Sequence, residues 1–246
     1  DNGNCFVTWC GFPHGISQVR IDANTGALLT EPAAMWLGTG MRNPEGPHLY
    51  HVGEYWYLLI AEGGTDRGHS VSVARSTLPS GPWEGFDGNP ILTHRSSAHP
   101  VQSVGHVDFV EGPDAQWYAV YHGTRPHGTF PEFHVIGRET MIARVEWIDG
   151  WPSIIEDTEQ NARPTSFSDA FQGSLDPRWV TPSGSMAGVA PADAGLALSV
   201  VGGARPVVAR VQDLDWAATA TIDAAAGDAR MVLYIGVDHW YGVEIS

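Results

Sequence analysis

The sequence predicts an all-β chain, built as about three blades of a β-propeller followed by part of a β-sandwich. Three observations carry this. Short alternating or aromatic runs are separated throughout by Gly, Pro, Asn and Asp, the punctuation of strands and turns. A four-strand unit recurs at roughly 50 residues, the period of propeller blades. Beyond Ser168 the texture shifts to an Ala-, Gly- and Val-rich stretch of short strands, which suits a sandwich.

The first unit runs from Cys5–Cys10 through Ile16–Ile21 to Met35-Trp36. In the second, His48–Val52, a Gly53-Glu54 turn and Tyr55–Ile60 form a hairpin; Val71–Arg75 adds a third strand and Gly81-Pro82-Trp83 leads into a short outer one. The third repeats the plan with Val107–Val110, a Gly112-Pro113-Asp114 turn, Trp117–Tyr121, Thr140–Val145 and Trp151–Ile154. The polar segment from Glu156 to Ser168, with Arg163-Pro164, is the expected linker. This gives a propeller domain over 1–158 and a sandwich domain over 165–246, with strands near Leu196–Val201, Pro206–Val211, Ala217–Ile222 and Met231–Val237.

Three blades do not close, and open sheet edges invite aggregation. The chain also starts on a hairpin-turn sequence, Asp1-Asn2-Gly3-Asn4, and stops inside an apparent strand, Val243–Ser246. Further blades are therefore expected upstream, and the chain reads as a piece of a longer protein.

Composition narrows the function. The 43% hydrophobic content excludes a disordered chain. A net charge of −15, with Arg as the only Lys/Arg-type cation, repels phosphate backbones and anionic bilayers. That argues against nucleic-acid and membrane partners and fits a neutral substrate or a role in solubility. No apolar run approaches the ~20 residues of a membrane span. Cys5 and Cys10 lie an odd number of residues apart on one strand, so they face opposite ways and do not pair. The ten Trp are either sugar platforms or core. His122, His127 and His134 read as solvated loop histidines.

Three clusters at loop-to-strand junctions offer chemistry: Glu45-Gly46-Pro47-His48, Gly105-His106-Val107-Asp108 and Gly137-Arg138-Glu139-Thr140. Glycosidic hydrolysis needs one carboxyl to protonate the leaving oxygen and a second to activate water or attack carbon. Glu45 suits the first role, because a Gly-Pro turn fixes its backbone and aromatics such as Tyr50 can desolvate it; the alternative is a turn carboxylate capping an amide. Arg138 either holds sugar hydroxyls or a carboxylate with its planar fork, or pairs with Glu139 or Asp108. His106 is a cation ligand, a partner of the acid, a hydroxyl contact or a satisfied buried histidine. Thr65, after Ala61-Glu62-Gly63-Gly64, points to the same rim.

These motifs, together with Gly68-His69, closely resemble glycoside hydrolase family 43 in order and spacing, specifically its β-xylosidase and α-L-arabinofuranosidase branch. The resemblance runs from about Asp1 to Ile155 and continues more weakly into that branch's C-terminal sandwich. It implies a five-bladed propeller and an inverting mechanism with the two carboxyls roughly 6.5–9.5 Å apart. Glu45 is then the general acid, Arg138 and Thr65 substrate contacts, and His106 the central-channel histidine, often associated with a calcium ion. No cofactor is implied as a requirement. The family's general base and pKa-modulating Asp have no counterpart before Glu45, since Asp1 and Asp22 sit in turns. The expected function is removal of xylose or arabinose from xylo- or arabino-oligosaccharides, with this chain inactive by itself. The competing expectation is a non-catalytic carbohydrate-binding propeller and sandwich.

Overall fold

Turn residues cut the apolar runs into short antiparallel strands. The computed structural model describes residues 3–11, 15–128, 130–156, 165–193, 195–199, 206–222 and 229–245. It contains two compact units, Asp1–Asn161 and Ala162–Ser246. The Asp1-Asn2 part of the predicted opening turn and most of the predicted linker, 157–164, lie outside the described residues.

The first unit holds three successive up-and-down sheets. β1 (Cys5–Gly11), β2 (Gly15–Ile21) and β3 (Ala33–Trp36) make the first. β4 (Glu45–Val52), β5 (Tyr55–Glu62), β6 (Ser70–Ser76) and the two-residue β7 (Glu84–Gly85) make the second. β8 (Gln102–Glu111), β9 (Trp117–Thr124), β10 (Glu139–Ile148) and β11 (Trp151–Ile155) make the third. Each strand pairs with its sequence neighbour, as in propeller blades. Gly53, at φ +62, closes the β4–β5 hairpin in the left-handed region that glycine enters without strain.

Burial follows from stacking these sheets. In β10, buried Glu139, Met141, Ala143 and Val145 alternate with exposed Thr140, Ile142, Arg144 and Glu146, the period-2 pattern of a half-covered strand. Leu58 and Ile60 of β5 face Ile16 of the first sheet, while Tyr57 and Leu59 face the third. The middle sheet is therefore covered on both faces, and its central strand reads as a continuous apolar run. Trp147 and Trp151 pack against this core beside Tyr57 and Trp117 beside Trp147, and the Arg75 guanidinium lies 4.6 Å from the Tyr55 ring centre and 4.2 Å from that of Trp151. These rings serve the core.

Beyond β11, Glu156 accepts a 2.6 Å hydrogen bond from the Tyr121 hydroxyl and lies 2.8 Å from His94 Nε2. His94 Nδ1 lies 2.8 Å from the Val101 carbonyl. Both ring nitrogens thus face oxygens that can accept, an arrangement that favours the protonated imidazole, and the hydrogen bond to Glu156 raises His94 above the usual imidazole range. This clasp ties the end of the third sheet to the loop ahead of β8.

The second unit contains two hairpins, β12 (Val189–Ala192) with β13 (Gly195–Leu198), and β14 (Ala229–Gly236) with β15 (His239–Ile245). This is part of a sandwich. The strand expected over Leu196–Val201 begins at Gly195 and ends at Leu198, with 200–201 outside the described residues. Two expected strands are absent. Pro206–Val211 forms only the isolated bridge Val208–Val180, because Pro206 has no N–H to give a ladder. Ala217–Ile222 is unpaired and mostly exposed, its Ala-rich side chains burying little and favouring no pleated surface.

Leu59 is 1% exposed in the main core. Leu59→Ala is expected to lose about 2–5 kcal/mol of stability through the cavity it leaves, as read by urea unfolding with an unchanged m-value.

Candidate active site

Glu45 opens β4, and the preceding loop is laced to the far end of the same hairpin. Glu62, the last residue of β5, is fully buried. Its carboxylate accepts the Thr39 amide at 3.0 Å and the Thr39 hydroxyl at 3.1 Å, so the buried charge is compensated by directed donors. Arg42 donates to the Gly63 carbonyl at 2.9 Å and pairs with Asp66, and the Gly63 amide donates to the Arg42 carbonyl at 2.8 Å. The backbone entering Glu45 is held by these ties. Between Glu45 and His48 the ladder breaks register, with Gly46 at φ +57.

Around the half-buried Glu45 stand four imidazoles. The ring of His106 lies so close to Gly46 that a Cβ there would meet it at 2.9 Å. His48 and His122 each lie 6.1 Å from His106, centre to centre. His69, 1% exposed, stacks on His122 at 5.0 Å. Burial holds His69 and His48 below the usual imidazole range. Burial likewise pushes His122 down to about 4, with the charges of His69, Arg138 and His106 acting in the same direction. Arg138 also lowers His69, whereas Glu45 raises it. Acid, guanidinium and imidazoles therefore share one electrostatic neighbourhood.

The structure brings several of the residues singled out in the sequence together and places others differently. His106 lies within β8, exposed and at φ +54, rather than ahead of the strand or buried. His122 belongs to β9 and is half-buried in the cluster, so it is not a solvated loop histidine; alternation from Tyr121 would have marked it as a strand residue. His127 and His134 are exposed as expected. Tyr50 turns its hydroxyl to Asp108 and the Phe109 amide and packs on Phe109 and Trp117. Asp108 faces His48, and Glu139 takes the Arg125 guanidinium at 2.7 and 3.1 Å. Both carboxylates weighed as Arg138 partners thus also hold other groups, Asp108 those of Tyr50 and His48 and Glu139 that of Arg125. Thr65 is exposed in the β5–β6 loop, two residues from Gly63.

The chemistry available is proton donation by Glu45 and hydrogen bonding from Arg138 and the imidazoles to a polyhydroxylated ligand. Calcium takes 6–8 oxygen ligands. Near His106 stand imidazoles, a guanidinium and the single carboxylate of Glu45, and no group of three or more His, Cys, Asp or Glu among the described residues is disposed to hold a metal. This donor set does not by itself fit calcium.

The depressed His122 value makes a prediction. The unfolded chain takes up the proton near pH 6.5 and the folded protein only near 4, so the stabilisation is complete above pH 6.5 and drains away as pH falls towards 4. The melting temperature of His122→Gln should fall less steeply over that interval than that of the wild type. Parallel curves would show that His122 is not the group responsible.

Comparison with known proteins places the chain. The chain is 40% identical over 139 residues to a non-reducing-end α-L-arabinofuranosidase of Bacteroides ovatus, covering 56% of the chain and 26% of the relative. It is 38% identical over 136 residues to a β-xylosidase of Bacillus subtilis, covering 52% and 26%. It therefore spans about a quarter of the length of the curated relatives it matches. The structure resembles that of a xylan β-1,4-xylosidase from Bacillus halodurans, with a TM-score of 0.60, 27% identity, and coverage of 73% of this chain and 38% of that one. The model of glycosyl hydrolases family 43 matches residues 1–152, from the first blade into the last strand of the third, and the chain belongs to that family.

Proposed function

We propose that this chain forms part of a glycoside hydrolase that removes xylose or arabinose from xylo- or arabino-oligosaccharides with inversion. The observation that carries the reading is Glu45, held at the start of β4 and grouped with Arg138, His69 and His106 in a family 43 chain. The names of the relatives, arabinofuranosidase and β-xylosidase, supply the two sugars.

In this mechanism Glu45 protonates the glycosidic oxygen as the bond to the anomeric carbon breaks. Arg138 and Thr65 hold sugar hydroxyls, and His106 contacts the ring beside the acid. The water that attacks the opposite face needs a second carboxylate about 6.5–9.5 Å away. Glu62 and Glu139 do not qualify, since their oxygens are committed to Thr39 and Arg125. The base and the Asp that tunes the acid belong to sequence outside this chain. The acidic balance of −15 suits a neutral glycan.

The test is hydrolysis of aryl β-xyloside and aryl α-arabinofuranoside by a longer form that supplies the second carboxylate. Glu45→Gln should lower kcat about 10²–10⁴-fold, the usual contribution of a general acid, and the 1–246 polypeptide should show no turnover. A folded longer form inactive on both glycosides would overturn the hydrolase reading, and turnover by 1–246 would overturn the assignment of the base.

A further inference from the structure

β8 does not run straight. Its pairing with β9 breaks register between Gln102 and Gly105 and again between Gly105 and Asp108. Each break carries a non-glycine residue in the left-handed region, Ser103 at φ +55 and His106 at φ +54. Such backbone is strained for an L-residue and persists only where its surroundings over-determine it. The surroundings here centre on one side chain, His69, which precedes β6.

His69 is fixed on several sides. Its amide donates to the Asp66 carbonyl at 3.0 Å, and its own carbonyl accepts the Thr93 hydroxyl at 2.9 Å. Its ring stacks on His122, the cross-strand partner of Gly105. Nδ1 lies 3.1 Å from the Ser103 carbonyl, and because a carbonyl only accepts, Nδ1 carries the proton. A Cβ on Gly105 would come within 2.4–2.5 Å of three atoms of this ring. The imidazole thus occupies the space a side chain at 105 would need and ties down the first left-handed residue of the bulge. The second, His106, is thereby carried over Gly46, beside Glu45.

We propose that His69 is a positioning residue: its buried ring and its hydrogen bond to the Ser103 carbonyl hold the β8 bulge that presents His106 over the Glu45–Gly46 turn. The catalytic consequence rests on the reading of Glu45 as the general acid; the structural consequence does not. His69 touches no substrate in this role and acts through His106 alone. Nothing in ordinary strand geometry would place His106 there, because a straight β8 would alternate its side chains regularly about the sheet.

Two variants separate the ring from its hydrogen bond. His69→Phe keeps the ring volume without the donor; His69→Asn places an amide N–H near Nδ1 in a smaller side chain. In the longer form acting on the aryl glycoside, His69→Phe should lower kcat about 10–100-fold, the scale of lost supporting-shell contacts, with KM changed less than about twofold. His69→Asn should recover most of that kcat despite its smaller volume. Wild-type kcat in His69→Phe, or no recovery in His69→Asn, would overturn the proposal. A crystal structure of His69→Phe in the 1–246 chain gives a readout independent of turnover. Release of His106 from the left-handed region, with its ring off Gly46, is expected; an unmoved His106 would overturn the proposal. If no glycoside is turned over but His106 is released, the hydrolase reading falls and the positioning role stands.

Discussion

The site depends on one steric exclusion, that of a side chain at residue 105 by the ring of His69. A Cβ at 105 would sit 2.4 Å from the imidazole, well inside any real van der Waals contact. Because the ring is fully buried and stacked on His122, the ring cannot yield and β8 must. Glycine at 105 is therefore needed for close approach and not for its φ, which is not in the left-handed region. The same device recurs on the second sheet, where Gly46 of β4 leaves room for His106. Two glycines and two histidines interlock in series, from the sheet interior out to the acid.

The ladder explains why motifs far apart in sequence meet. His122 stands opposite Gly105 on β8 and opposite Thr140 on β10. It bridges the cluster at Gly105–Asp108 to the one at Gly137–Thr140, and burial leaves its Nδ1 without a hydrogen-bond partner among the described residues. The third cluster arrives by a different route. Glu45 pairs with Ala61 across the β4–β5 hairpin, and Glu62 then gathers the loop ahead of Glu45 through Thr39. A fully buried carboxylate with directed donors cannot readily swap partners without stranding its charge. That makes Glu62 a stiff tie for the acid.

Much of this was legible in the sequence, for identifiable reasons. The three blades follow from period-2 apolar runs between turn residues, which local chemistry dictates. Glu45 and Arg138 stand out because glycine flanks them at strand starts. What was hidden is non-local. His69 and His122 look ordinary in a one-dimensional reading; their roles come from ladder register and from two bulges that no alternation pattern announces. Tyr50 was read as a neighbour of the acid, but its hydroxyl finds Asp108 and the Phe109 amide on the adjoining sheet. In the second unit, apolar runs around Val208 and Ala218 lacked the partners that turn an extended segment into a strand.

The first unit also sets its histidines against one another. His122 is kept neutral by burial, so its contribution is whole above pH 6.5 and declines below it. His94 is kept charged, first by the hydrogen bond to Glu156, with its value raised above 6.5. Its contribution is whole below pH 6.5 and declines as pH rises through that raised value. Acid therefore strains the active-site cluster while leaving the clasp intact, and base releases the clasp while leaving the cluster neutral. The two groups differ because one is buried among other imidazoles and the Arg138 guanidinium, the other faces a carboxylate and a carbonyl. The two histidines therefore respond to pH in opposite senses, and the loss of stability on acidification is the cost of burying imidazoles beside Glu45.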